Sequence, residues 1–418
     1  MIAMLRFTML LLAASGVLSS CVFAQKFVAN YDEAKVPTYE LPDPLKLPDG
    51  GVVEDAQTWW EVRRPQIFKL FEEQVYGRAP GSPSSMSYRL LEEADDALDG
   101  AAIRKQVRVL FDGTADGPHM DILIYLPAEA EEAVPLFLGL NFRGNHAIRG
   151  ESEILMASSW QKRKSPRGAA ASRWSIDRCL SRGYGVATIY CGDIDPDHDD
   201  GFANGVHPMF YAKGQDRPAA DEWGSIAAWA WGLSRALDYC ETDSQIDHER
   251  VAVFGHSRLG KTAIWAGARD SRFAMVISNN SGCGGAALSR RCFGETVGRI
   301  NKSFPHWFCD NFNQYSNHES ALPVDQHMLV ALIAPRPVYI ASATKDIWAD
   351  PRGEFLAALH GDPVYELLGV EGLGVEVMPG ADAPVHGGIG YHLRSGKHDV
   401  TDYDWQQYLA FADKHLSR

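Results

Sequence analysis

Little in this sequence invites a membrane, a metal or a nucleic acid. After the first two dozen residues no apolar run is long enough to cross a bilayer. No Cys-x-x-Cys pair occurs among the seven cysteines, which argues against a zinc site. No period or low-complexity tract recurs, which excludes a solenoid or a fibrous array. Positive charge is scarce as well: 40 Lys and Arg stand against 54 Asp and Glu, a net charge of −14. That balance disfavours nucleic acid and anionic membrane surfaces as partners. An acidic substrate would need a local cluster of cations. No cofactor and no metal are expected.

What remains is an ordinary globular composition over 418 residues, 45% hydrophobic and 22% charged, enough for a sizeable core. Residues 1–24 read as an export signal, with Arg6 ahead of a short apolar stretch through Leu18. Val22-Phe23-Ala24 fits a cleavage site before Gln25, and Leu18-Ser19-Ser20-Cys21 fits a bacterial lipobox that would leave a lipid anchor at Cys21. The expected product is secreted or periplasmic, free or tethered by lipid. The remaining cysteines, Cys179, Cys191, Cys240, Cys283, Cys292 and Cys309, are even in number, and in an oxidising compartment either disulfides or buried thiols fit.

Residues 25–57 are rich in Pro, Asp and Glu and read as an extended arm ahead of a single catalytic domain over 58–418. The stretch 57–77 predicts a helix broken at Pro65. Three β-type runs follow close together, from 86, 105 and 119, and predict antiparallel strands. The run 134-VPLFLGLN is nearly all apolar, as a strand covered on both faces should be. Strands and helices then alternate: helix 173–182, strand 184–190, helix 221–240, strands from 251, 273, 336 and 374, and a last helix from 403. That order predicts an α/β fold, a doubly wound and mostly parallel sheet with antiparallel N-terminal strands between helical layers. The acidic run 193-DIDPDHDDG-201 fails the EF-hand pattern, since the sixth and twelfth positions counted from Asp195 hold Asp200 and Val206. A solvated loop at the sheet's carboxyl edge is expected there.

The chemistry concentrates at 251-VAVFGHSRLGKTAIWAGA-268. An apolar strand runs into Gly255-His256-Ser257 and out into a helix, which is how a hydrolase lifts a nucleophilic hydroxyl clear of its sheet. The usual second glycine is missing: Leu259 stands in its place and Gly260 follows. A serine nucleophile needs a base oriented by a carboxylate. Past the strand that starts at 336, Asp346 is the first carboxylate and Asp350 its rival. His386, His392 and His398 follow the last expected strand, and spacing does not choose among them. Arg258 and Lys261 lie beside a helix N-terminus, where positive charge is unfavourable unless something offsets it. Asn141, Arg143 and His146, after the apolar strand, fall where hydrolases build a second oxyanion wall. Trp174, Trp223 and Trp307 are read as core or as a carbohydrate-binding surface.

The run Gly255-x-Ser257-Arg258-x-Gly260-Lys261 resembles the signature of the glucuronoyl esterases, a carbohydrate-esterase family with an α/β-hydrolase fold. The resemblance extends through 140-LNFRGNH-146, 192-GDIDPD-197, 281-SGCGGAALSRRCFGE-295, 305-PHWFCDNFNQY-315, 322–355 and 390-GYHLRSGKHDVTDYDW-405, and covers most of the chain from about residue 60. It implies hydrolysis of esters between lignin alcohols and the 4-O-methyl-glucuronic acid of xylan, through an acyl-enzyme. It implies Ser257 as nucleophile, His398 as base and Arg258 in the oxyanion hole, with Lys261, Glu295 and Trp348 holding the sugar hydroxyls. Many members carry the triad acid as a Glu where this chain has Asn280. The bacterial pattern, with an Asp after a later strand, matches Asp346. Rival functions are an acetyl- or feruloyl-xylan esterase, and a non-catalytic carbohydrate-binding relative. A monomer is expected.

Overall fold

A computed structural model describes residues 27–417. The expected export signal and Cys21 lie outside the described residues. Ten strands form one sheet: β1 (Ser87–Ala97), β2 (Ala102–Leu110), β3 (His119–Pro127), β4 (Val134–Asn141), β5 (Gly185–Tyr190), β6 (Ile246–His256), β7 (Met275–Asn279), β8 (Val338–Ala343), β9 (Val385–His386) and β10 (Ile389–Arg394). Their order across the sheet is β1-β2-β3-β5-β4-β6-β7-β8-β10-β9. From β5 to β10 every neighbour pairs in parallel; β1, β2 and β3 add an antiparallel flank, and β9 an antiparallel edge.

Helices cover both faces, and the period of two along each strand sorts the core accordingly. On β6, Val251 and Val253 pack with helices Ser225–Cys240 and Arg258–Arg269, whereas Ala252 and Phe254 pack with helix Asp402–His415. β8 divides the same way, Val338 and Ile340 to one layer, Tyr339 and Ala341 to the other. Burial on both faces explains why the central strands read as unbroken apolar runs.

Three expectations need correction. The stretch at 374–378 forms no strand; Val377 is exposed, and the last parallel strand is β10, fifteen residues later. Pro65 does not break the 57–77 helix. The turn ahead of it widens, with the Arg64 N–H reaching back to the Trp59 carbonyl, and Pro65 enters as the first turn of Arg64–Phe71. A wider turn relieves the clash a proline ring makes with the turn before it. The acidic run is not a solvated loop, as the site shows. The six described cysteines are free thiols, all but Cys292 buried. No helix among the described residues is long and apolar enough to cross a membrane.

Candidate active site

Ser257 sits between β6 and helix Arg258–Arg269 with φ 59° and ψ −129°, a strained backbone held by its own N–H donating to the Asn279 carbonyl at 2.9 Å. The turn is possible because position 255 has no side chain: a Cβ there would lie 1.8 Å from the Leu259 carbonyl oxygen. The displaced glycine has its own role. A Cβ on Gly260 would crowd the Asn279 carbonyl at 3.0 Å and Ser281 Cβ at 3.1 Å, so Gly260 lets the helix close on the end of β7. Leu259, in the usual glycine position, is simply buried.

One cavity of about 320 Å³ collects Ser257, Arg258, Lys261, Asn280, Glu295, Trp307, Asp346, Trp348 and His398. Every residue to which the family resemblance gave a role is on it. The three expected triad members come from the carboxyl ends of β6, β8 and β10. Nδ1 of His398 lies 2.6 Å from Asp346 Oδ2, and Asn280 Nδ2 donates to the same oxygen at 3.0 Å. With Asp346 accepting both, Nε2 is the His398 nitrogen left for Ser257. Asp346 is buried while His398 is 42% exposed, so the carboxylate is fixed and the imidazole faces the opening. Asp350 is elsewhere, buried against Arg291 and capping helix Pro351–Leu367. His392 is buried within β10, against Asp404 and Tyr339, and His386 lies on β9.

Behind His398 stands His256, its ring centroid 4.5 Å away. Burial, then the neighbouring charge of His398, depress its pKa well below the ordinary histidine value, so it packs as a neutral ring. Asn279 ties it, through Tyr408 and Asp404, to the strand that carries the His398 loop.

The two cations are offset from within. Arg258 donates to Asp197 Oδ2 at 2.6 Å, and its guanidinium lies 5.3 Å from the Phe142 ring centre and 5.0 Å from that of Trp307. Asp197 also accepts from Trp307 Nε1 at 2.8 Å and pairs with His306 at 3.0 Å. Burial pushes the Asp197 carboxyl up, but the His306 hydrogen bond, the Arg258 charge and Trp307 outweigh it and hold the pKa at about 2. The sequence reading missed this carboxylate. The available signal was an acidic residue past a parallel strand, facing an arginine that needed a partner. Asp195, in the same run, is buried among His207, Ser225 and Trp229. Lys261 is 3% exposed. Its Nζ donates to the Ser281 and Cys283 carbonyls at 2.6 Å each and lies 3.5 Å from Glu295 Oε2. Two of its three donors are thus spent inward, and the third faces Glu295, with which it forms an ion pair on the cavity wall.

Asn141 and Arg143 line a smaller cavity on the far side of His256, and His146 is buried against the Ser165 carbonyl. Phe142, between them, is the residue that reaches Arg258. Trp174 is core, Trp223 lines another cavity, and Trp307 alone of the three reaches Ser257's.

Comparison with known proteins follows the same geometry. A family model described as glucuronyl esterase of fungi matches residues 198–369. The chain is 55% identical over 408 residues to a carbohydrate esterase from an unknown prokaryotic organism, covering 95% of this chain and 94% of that one. It is 30% identical over 353 residues to a 4-O-methyl-glucuronoyl methylesterase of Schizophyllum commune, covering 81% and 77%. The solved glucuronoyl esterase of Solibacter usitatus superposes with a TM-score of 0.89 at 47% identity, over 92% of this chain and all of that one.

Proposed function

Because the chain belongs to the glucuronoyl esterase family and is a carboxylic-ester hydrolase, we propose that its cavity hydrolyses esters of D-glucuronic acid or its 4-O-methyl ether through a Ser257-His398-Asp346 triad. The observation that carries the reading is the 2.6 Å Asp346–His398 pair on one cavity with Ser257, Arg258 and Lys261. Ser257 Oγ attacks the uronoyl carbonyl while His398 Nε2 takes the hydroxyl proton. The carbonyl oxygen becomes an oxyanion beside the Arg258 backbone N–H and guanidinium, where a preorganised donor acts with little competition from water. Collapse expels the alcohol, which receives the proton from His398 and leaves an acyl-serine. Water then attacks, gives one proton to His398, and becomes part of the released carboxylic acid as Ser257 regains its own.

The acid half of the substrate explains the cations. A neutral acetyl or an aromatic feruloyl group gives Arg258 and Lys261 no reason to share one cavity. A glucuronate, released as a carboxylate and studded with hydroxyls, does. Lys261, Glu295 and Trp348 hold those hydroxyls on this reading, and the natural substrate is the lignin–glucuronoxylan cross-link. Residues 58–418 serve as one monomeric catalytic domain, and residues 1–24 export it.

Hydrolysis of benzyl glucuronate compared with p-nitrophenyl acetate tests both halves of the proposal. kcat/KM should favour the glucuronate, and Ser257→Ala should lower kcat by at least ~10³-fold with the fold intact. Unchanged turnover in that variant would sink the mechanism, and a preference for acetate would sink the substrate assignment.

A further inference from the structure

The arm ahead of the domain does not trail away from the molecule. Its second half is pinned to the body, with the Asp43 and Pro44 carbonyls accepting from Arg63 and the Pro42 carbonyl against His327 Nε2. Its first half, residues 27–36, makes its contacts with the body on two segments. The Asn30 carbonyl accepts from the Gly294 N–H at 2.8 Å. The Tyr31 ring meets Phe293 edge-on at 6.1 Å. Glu33 pairs with Arg291 at 2.6 Å and with Arg352 at 3.5 Å. The Phe27 ring stands edge-on to Trp348 with centroids 6.2 Å apart, and the Arg299 guanidinium lies 5.4 Å over its face.

Those two segments, 291–299 and 347–352, supply Glu295 and Trp348 to the cavity. They are themselves laced together: Glu295 N–H donates to the Trp348 carbonyl at 3.0 Å, and a Cβ on Gly294 would lie 2.4 Å from that carbonyl oxygen. Trp348 is 36% exposed at the mouth, so little besides its neighbours along the rim fixes the indole. An edge-to-face aromatic contact fixes ring orientation as well as adding attraction.

We infer that the N-terminal arm is part of the substrate-binding structure, with Phe27 a positioning residue that holds Trp348 at the angle in which its indole meets the sugar. The inference rests on the glucuronate reading given above. Its chemical consequence is selective. Losing the Phe27 ring frees Trp348 without touching Ser257, His398 or Asp346, so binding of a uronate weakens while the chemical step and a substrate without a sugar are unaffected.

Benzyl glucuronate and p-nitrophenyl acetate kinetics of Phe27→Ala, Phe27→Tyr, Trp348→Ala and the Phe27→Ala/Trp348→Ala double variant provide the test. Phe27→Ala should raise KM for the glucuronate about three- to tenfold at unchanged kcat, and leave acetate hydrolysis and the melting temperature as in the parent. Phe27→Tyr, which keeps the ring, should behave as the parent. In the Trp348→Ala background the Phe27→Ala effect should vanish, since the residue it acts through is gone. An unaltered KM in Phe27→Ala, or an effect of equal size with and without Trp348, overturns the inference while the glucuronate reading stands. A parent enzyme that does not turn over the glucuronate overturns that reading and, with it, this one.

Discussion

At the scale of single residues, the site turns on a carboxylate that does no chemistry of its own. Asp197 holds Arg258 from one side while Phe142 and Trp307 face its guanidinium. It also fixes Trp307, a wall of the same cavity. Asp197→Asn keeps the size but cannot offer Arg258 a charged acceptor. Steady-state kinetics on benzyl glucuronate should show kcat falling by about 10- to 100-fold, short of the ~10²–10³ that losing a whole oxyanion donor costs. Combining it with Arg258→Ala should add nothing to Arg258→Ala alone; a further additive loss would mean that Asp197 acts elsewhere. This carboxylate was hidden in the sequence by its company. A run of five aspartates within nine residues reads as solvated charge, and only the fold brings one of them under an arginine sixty-one positions later. Ser257 was legible because its strand, tight turn and helix are all local. Asn280 shows the opposite case: it stands where the family resemblance leads one to expect a Glu, and its amide donates to Asp346.

At the scale of elements, β10 and the loop after it decide which histidine reaches the cavity. The glycine-rich run 387-GGIG-390 disguises β10, while the alternating valines of 374–378 imitate a strand. The glycines are demanded by neighbours: a Cβ on Gly390 would lie 2.3 Å from the Tyr339 ring, and one on Gly388 would lie 2.2 Å from the Glu371 carbonyl oxygen. Once β10 is placed, His392 faces a buried layer, and His398 falls past the strand's carboxyl end and on the cavity, which is what the proposed triad requires. The loop carrying His398 is then gripped from inside. Arg394 donates to the carbonyls of Ser395 at 3.1 Å, Lys397 at 2.8 Å and Asp399 at 3.1 Å, and pairs with the buried Asp404 at 2.8 Å. Arg394→Met fills the space but strands the loop carbonyls and takes the guanidinium from Asp404, whose remaining partners, Thr401, Asn279 and His392, are uncharged hydrogen-bonding groups. Breaking one side of a buried pair costs about 3–5 kcal/mol, so the denaturation midpoint should drop by that equivalent. kcat should fall more than KM rises, because in the proposed mechanism the loop holds the base rather than the sugar. A variant of parental stability would show that the grip is redundant.

For the whole molecule, buried titratable groups set how stability depends on pH, and they pull in two directions. Asp197 is held at about 2, against an ordinary 3.8. Its contribution is complete above the ordinary value and lost as pH falls toward 2. Glu354 and Asp193 are shifted the other way. Burial, with the charge of Asp346 adding to it, pushes Glu354 up to about 8; burial, with Asp121 adding to it, pushes Asp193 up to about 7. The folded chain keeps these protons over a range where the unfolded chain has released them, so the contribution of these two groups declines as pH rises from about 4.5 to about 8. Buried histidines oppose that decline on the acidic side: burial holds His256 well below the ordinary histidine value and His327 at about 4, so the unfolded chain takes up protons the folded chain refuses as pH falls from about 6.5. Glu354 also reaches the site: its Oε1 accepts from the Gly282 N–H at 2.9 Å, and its Oε2 lies 2.6 Å from Ser342 Oγ, so it braces the segment whose Ser281 carbonyl receives Lys261. Glu354→Gln removes the titration and keeps the shape. Its denaturation midpoint, followed from about pH 4 to 9, should rise relative to the parent's between about pH 4.5 and 8 and leave the acid limb untouched. A variant whose midpoint follows its parent's across that range would show that Glu354 gives up its proton in the ordinary carboxylate range.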